Sequence, residues 1–236
     1  MLPFFFVETI SADGATQVLS EETSRHIVQV LRMKKGDALR LADGRGKLAT
    51  AIISDDHKKK CQVSVSGSSV VPRPALQNTV AISLLKNNTR LEWFLEKAAE
   101  LGVSKIVPLI CTRTEKQHFR FDRMNAILIS AMLQSQQSWL TELAQPVAFK
   151  DFVLREFGGG TGCFIAHCEE GEKSSMRQAG EKAFSQRLIL IGPEGDFTTD
   201  EIAMATANGF QPVELGKTRL RTETAGVVAA TLLQLG

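Results

Sequence analysis

Leu188 to Glu201 reads LILIGPEGDFTTDE, and this stretch decides the fold. An apolar run of strand length ends in a Gly-Pro-Glu-Gly turn whose glycines leave backbone amides uncovered. A helix then starts, and its beginning is marked twice. Thr198 and Glu201 have capping-box spacing, and Phe197 and Ile202 have the spacing of a hydrophobic staple. The loop between strand and helix therefore leaves in a fixed direction, as a binding loop requires. Taken alone, the pattern fits a plain strand-to-helix turn equally well.

Outward from it, strand-length and helix-length apolar runs alternate. Strands are predicted at Thr79 to Leu85, Lys105 to Cys111, Cys163 to Cys168, Arg187 to Ile191 and Pro212 to Leu215. A helix is predicted from Asn88 to Leu101, with Leu91, Phe94, Leu95, Ala98 and Leu101 on one face and Gly102 where a C-terminal cap belongs. This alternation predicts an α/β domain with a mainly parallel sheet covered by helices. Gly158-Gly159-Gly160 reads as a loop.

Toward the amino terminus the pattern changes. Short β-prone runs at Phe4 to Glu8, Asp37 to Ala42, Lys47 to Ser54 and Gln62 to Ser66 surround one helix, which is capped by Ser20 and runs through Ile27, Val30 and Leu31. Asp43-Gly44-Arg45-Gly46 is a hairpin signal. A small β-barrel with one helix is expected. Val71-Pro72-Arg73-Pro74 breaks regular structure, because each proline removes an amide donor and holds its predecessor extended. The domains are therefore 1–71 and 72–236.

The 236 residues are 43% hydrophobic and 23% charged, as in an ordinary folded domain pair. The net charge of +2 carries no global basic field, so any nucleic-acid contact must come from local clusters of Lys and Arg. Met1 to Val7 is too short and too lacking in basic flank for a signal peptide, and no window reaches membrane-span length. Cys61, Cys111, Cys163 and Cys168 show no Cys-x-x-Cys spacing and the four histidines no ligand spacing, so no metal and no disulfide is expected, but free thiols in a reducing cytoplasm.

Leu215 to Ala225, LGKTRLRTETA, sets two arginines and a glutamate among small and hydroxyl residues, with Thr222 read as the N-cap of the helix that carries the apolar run Val227 to Leu235. Gly216-Lys217-Thr218 is not a phosphate-binding P-loop. The glycine required five positions upstream is Gln211, and Arg219-Leu220 precedes any helix.

Together, IGPEG-F-x-x-x-E and LG-x-x-x-LRTETA resemble the two carboxy-terminal motifs of the SPOUT methyltransferases, specifically the RsmE family. The run from Arg25-His26-Ile27 to Gly36-Asp37 is similar to that family's amino-terminal domain, and Leu91-Glu92 through Pro108 to its first catalytic-domain helix. The resemblance implies a PUA-like RNA-binding β-barrel followed by a SPOUT domain with a carboxy-terminal trefoil knot. It also implies methylation of N3 of a uridine in small-subunit (16S) ribosomal RNA, with S-adenosyl-L-methionine as donor. The donor is expected at Ile165, at Gly192, Pro193, Glu194 and Gly195, at Leu215 and Gly216, and at Leu220, Arg221, Thr222, Thr224 and Ala225. Arg221 and Glu223 are the expected catalytic residues, Arg221 stabilising charge on the uracil oxygens and Glu223 acting as base or orienting the base. An ordinary structural pair at a helix start would look the same.

Arg25, Arg32, Lys34 and Lys35, with Arg40 and Arg45 nearby, form an expected phosphate-tracking patch, and Arg113 leads a second cluster with Lys116, Arg120 and Arg123. His57-Lys58-Lys59-Lys60 reads as a charged hairpin tip. Two departures from the family stand out. Gln134 to Trp139 lacks the glycine and basic residue usual there, and Met1 to Phe5 lacks an arginine ahead of the first strand. The resemblance also implies a twofold homodimer, for which the apolar run Val227 to Leu235 is suited. Two alternatives stay open: a SPOUT enzyme methylating ribose 2′-oxygens of transfer or ribosomal RNA, and a catalytically silent RNA-binding ribosome assembly factor.

Overall fold

The computed structural model describes residues 2–115, 118–180 and 184–235. The chain divides into two compact units, one of residues 1–73 and 132–140, the other of 74–131 and 141–236.

The first unit holds β1 (Phe4–Phe6), β2 (Thr16–Val18), α1 (Glu21–Arg25), β3 (Ala38–Ala42), β4 (Lys47–Asp55) and β5 (Gln62–Val70). Its five strands lie in the order β1-β3-β4-β5-β2, with β1 parallel to β3 and the other pairs antiparallel. Strand β2 was not foreseen. The helix from Ser20 is only five residues of α-helix before it widens into a π-turn at His26–Val30. That turn carries the chain to Arg32, whose φ of +56° is unusual for a side-chain-bearing residue. Inside lie Phe5, Ile27, Leu39, Leu41, Ile53 and Val63, all buried.

Between β3 and β4 the Asp43 carboxylate accepts from the amides of Arg45 and Lys47 at 2.8 and 3.0 Å, which closes the turn. Residues 138–140 pack on this turn. The amide of Gly46 donates to Ser138 O at 2.9 Å and that of Leu140 to Gly44 O at 2.9 Å, while Trp139 Nε1 donates to Val71 O at 3.1 Å. Gly46 is required there: its φ is +93°, and a Cβ would stand 2.6 Å from both the Trp139 ring and Val71 O. The departure at 134–139 is thus part of the framework of the first unit. Arg40 lies over the Phe4 ring at 4.9 Å and donates to Gln136 at 3.2 Å.

The second unit contains β6 (Gln77–Ser83), α2 (Asn88–Glu100), β7 (Lys105–Ile110), α3 (Phe121–Gln134), β8 (Glu142–Leu143), β9 (Val147–Ala148), α4 (Phe149–Val153), β10 (Thr161–Ala166), β11 (Ser174–Ser175), α5 (Met176–Gly180), β12 (Gln186–Ile191), α6 (Thr199–Ala207), β13 (Gln211–Glu214) and α7 (Thr222–Leu235). The last turn of α3 groups with the first unit. The sheet order is β11-β13-β10-β12-β6-β7-β8, with β9 also on β7, and every described pairing is parallel. This is the mainly parallel α/β sheet expected from the alternating runs.

Helix α2 starts on an Asn87 cap and ends as the glycine foretells. Gly102, at φ +78°, lets its own amide reach Ala99 O and that of Val103 reach Ala98 O. Although β13 lies beyond β10, α7 packs back on α2, β6 and β12, so the chain between them doubles back across the sheet. Gly226 sets the approach, since a Cβ there would meet Phe94 at 2.6 Å and Ile82 at 2.9 Å. Phe94 is fully buried, worth roughly 1.5–3 kcal/mol for such a side chain. Ala229, Ala230 and Leu233 of α7 are buried within the subunit, while Val227, Val228 and Leu232 are half-buried. At its far end Leu233 O accepts from Asn78 and from the buried Arg187, a cation placed well for a helix carboxyl terminus. Helix α7 also begins earlier than read, with Thr222 its first residue and Arg221 O accepting from Ala225 at 2.7 Å.

Candidate active site

A cleft of about 860 Å³ opens at the carboxyl ends of three adjacent parallel strands, β12, β10 and β13. Ligands bind α/β sheets at such strand ends. Its walls are the loop after β12, the segment from β13 to α7, the loop after β10, and Arg90 from the first turn of α2.

The loop after β12 is held from every side. Gly192 lies so close to Phe197 that a Cβ would sit 3.1 Å from its amide nitrogen and its ring. Asp196 N donates to Pro193 O at 2.9 Å, closing a tight turn that leaves Asp196 at φ +65°. The Asp196 carboxylate accepts from its neighbour Phe197 N at 2.8 Å and, across the cleft floor, from Cys168 N at 2.7 Å. Arg113 Nη1 donates to the carbonyls of Gly195 and Phe197 at 2.5 and 3.3 Å. Thr198 and Glu201 form the expected capping box, and Glu201 Oε1 also accepts from Thr112 N at 2.8 Å.

The opposite wall is sparse. Gly216 takes φ +155° with open space around it, and residues 216–219 are exposed. No hydrogen bond to another described residue holds Gly216 to Leu220.

Of the residues expected at the donor, Gly192, Pro193, Glu194, Leu215, Gly216, Leu220, Arg221, Thr222 and Ala225 line this one cleft. Three others, Ile165, Gly195 and Thr224, do not line it, and neither does the expected catalytic residue Glu223. Ile165 is fully buried, paired with Leu190 on the sheet face that packs against Phe197 and Phe210. Strand residues alternate faces, so its neighbours in register, Ala166 and Ile191, line the cleft instead. Gly195 turns its carbonyl to Arg113, and Thr224 is half-buried on α7. Glu223 is buried, with Oε1 3.6 Å from Arg90 Nε and Oε2 without a hydrogen-bond partner.

Sequence reading missed Arg90, His167, Cys168, Lys173 and Asp196, all of which line the cleft. Neither ring nitrogen of His167 has a partner, and burial, reinforced by Lys173, pushes its pKa down from the ordinary histidine value. A histidine one residue beyond a strand that ends beside the GPEG strand was the available signal. Arg90 had none, because it stands far along the chain from Glu194.

Arg25, Arg32, Lys34 and Lys35 are all exposed on the first unit, Arg25 pairing with Glu21 and Lys34 lying 3.8 Å from Asp56. Arg113, expected at RNA, is exposed and donates to the two loop carbonyls. Arg123 forks onto Glu92 at 2.6 and 2.9 Å and holds that carboxyl below its usual range. Lys116 lies outside the described residues. All four cysteines are free, and burial pushes the Cys111 thiol up to about 12. Among the described residues no group of His, Cys, Asp and Glu is arranged to hold a metal, and no helix is long and apolar enough to cross a membrane.

Residues 72–234 match the family model described as an RNA methyltransferase domain, and residues 19–66 the one described as an RNA methyltransferase PUA domain. The chain is 34% identical over 222 residues to ribosomal RNA small subunit methyltransferase E of Synechocystis sp., covering 91% of this chain and 71% of that protein. Among solved structures it is similar to ribosomal RNA small subunit methyltransferase E of Neisseria gonorrhoeae bound to S-adenosyl methionine, with 27% identity, a TM-score of 0.88, and 100% and 98% of the two chains covered. A methyltransferase from Legionella pneumophila in complex with the same cofactor gives 30% identity, a TM-score of 0.88 and the same coverage.

Proposed function

The chain belongs to the ribosomal RNA small subunit methyltransferase E family, and from that premise we propose that it methylates N3 of a uridine in small-subunit ribosomal RNA with S-adenosylmethionine as donor. The observation that carries this reading is the single cleft uniting the 192–194 turn, Leu215-Gly216 and the 220–225 segment.

The residues fit the donor. About 860 Å³ lies within the range of small-molecule sites, and the turns at Gly192 and Gly216 bring bare backbone to its edge. The two partnerless ring nitrogens of His167, which lines the cleft, suit a ligand of the polarity of a nucleoside amino acid. Bound S-adenosylmethionine supplies an electrophilic methyl on a sulfonium, which leaves as a neutral thioether and needs no metal.

What remains for the protein is orientation and one proton. Uridine N3 carries a hydrogen at neutral pH and is out of reach in a stacked helix, so the base is taken out of its stack. Glu223 Oε2 then accepts the N3 proton, leaving its bonding pair to form the new N–C bond. Arg221 donates to the uracil oxygens, on which the negative charge develops. The exposed Arg25, Arg32, Lys34 and Lys35 track phosphates, and a twofold dimer in a bacterial cytoplasm completes the reading.

Incubation with labelled donor and either small subunits or bare ribosomal RNA, then nuclease digestion and nucleoside mass analysis, tests it. The expected product is 3-methyluridine. A ribose-methylated nucleoside, or no incorporation, overturns the assignment. Arg221→Gln and Glu223→Gln should each slow single-turnover methylation by about 10²-fold or more.

A further inference from the structure

Arg90 is placed against its local field. It sits in the first turn of α2, a helix end that disfavours cations, and that turn holds no acidic side chain. Two carboxylates from other elements face it: Glu194 of the loop after β12 at 3.7 Å and Glu223 of α7 at 3.6 Å. Both distances exceed direct hydrogen-bond contact, and the Arg90 side chain makes no hydrogen bond to another described residue. Glu223 is the more demanding partner. Its side chain is only 9% exposed and Oε2 has no partner, so burial of its charge depends on a nearby cation. Arg90 is the cation the structure puts there.

We propose that Arg90 is a positioning residue for the reaction: shared between Glu194 and Glu223, its guanidinium fixes the Glu223 carboxylate so that Oε2 is presented to the acceptor base. This rests on the reading of Glu223 as the group that receives the N3 proton. Arg90 itself touches neither the methyl group nor the proton. It also couples the loop after β12 to the start of α7, so the wall that carries Glu194 and the residue that moves the proton share one counter-ion. An arginine suits this better than a lysine, since its planar fork can face two carboxylates at once.

A double-mutant cycle tests the proposal, with single-turnover rates at saturating RNA and donor, donor affinity by calorimetry, and thermal midpoints to establish that each variant folds. Arg90→Gln should slow methyl transfer by about 10²-fold and Arg90→Lys by about tenfold, a loss that persists at saturating donor and exceeds any loss of donor affinity at least about tenfold, while RNA half-saturation changes less than about threefold. Because Arg90 acts through Glu223, Arg90→Gln/Glu223→Gln should be no slower than Glu223→Gln alone, within about twofold. Added guanidinium ion at millimolar levels should restore part of the rate to Arg90→Gln and none to the double variant. Multiplicative rate losses, a normal rate in Arg90→Gln, or a defect confined to RNA half-saturation, which would make Arg90 a phosphate contact, each overturn it. Full speed in Glu223→Gln would instead remove the proton-transfer reading, and a slow Arg90→Gln beside it would show that Arg90 works without Glu223.

Discussion

The two backbone walls of the cleft are built by opposite means. Between Gly192 and Thr198 a net of bonds fixes the loop: a turn bond from Asp196 to Pro193, two amides on the Asp196 carboxylate, two carbonyls on Arg113, and a capping box whose glutamate also reaches Thr112. Between Gly216 and Leu220 the chain is exposed and makes no hydrogen bond to another described residue. Both walls carry glycine, for different reasons. At Gly192 a side chain has no room, whereas at Gly216 there is room and the backbone angle is the constraint. One wall is preorganised, and the other is left for the ligand to order, which lowers affinity by the ordering cost but lets substrate in and out.

The comparison breaks most sharply at Gly192. A methyl group 3.1 Å from a backbone nitrogen requires the tightly bonded loop to give by a few tenths of an ångström, so Gly192→Ala should cost about 1–3 kcal/mol of stability and weaken donor binding at least about tenfold. Denaturant unfolding and calorimetry measure the two effects, and an unchanged variant would mean that this wall yields as easily as the other. Asp196 comes next. Asp196→Ala loses two amide acceptors for about 1–2 kcal/mol, whereas Asp196→Gly should recover part of that, about 0.5–1 kcal/mol, because glycine tolerates φ +65°. The smallest effect sharpens the contrast without mutation. Amide exchange at 216–220 should slow at least about tenfold on addition of S-adenosylmethionine, while 192–198 changes less than about threefold. Equal protection of both segments would erase the distinction.

What could be read in advance was local. The capping box at Thr198, the staple at Phe197 and the glycine cap at Gly102 involve residues within five positions of each other, and the structure contains all three. The segments expected at the donor were named by the family resemblance of IGPEG and LRTETA, and most of their residues line the cleft. The misses are matters of distance or parity. Ile165 belongs to the right strand and the wrong face, since periodicity alone gave no register against β12. Arg90 and Cys168 reach the cleft through sheet order, which no local pattern encodes. The bracing of the loop by Arg113 was likewise beyond local pattern, since Gly195 and Phe197 lie far along the chain.

The seat of Trp139 on Gly46 has a consequence for biosynthesis. The first unit is not finished when Arg73 leaves the ribosome, because the stretch that covers its hairpin turn ends at Leu140, within the sequence of the catalytic half. Until then that surface stays open on the nascent chain. A fragment ending at residue 73 should accordingly be a poor stand-in for the amino-terminal unit, whereas one that carries the 132–140 peptide in trans has a place ready to receive it.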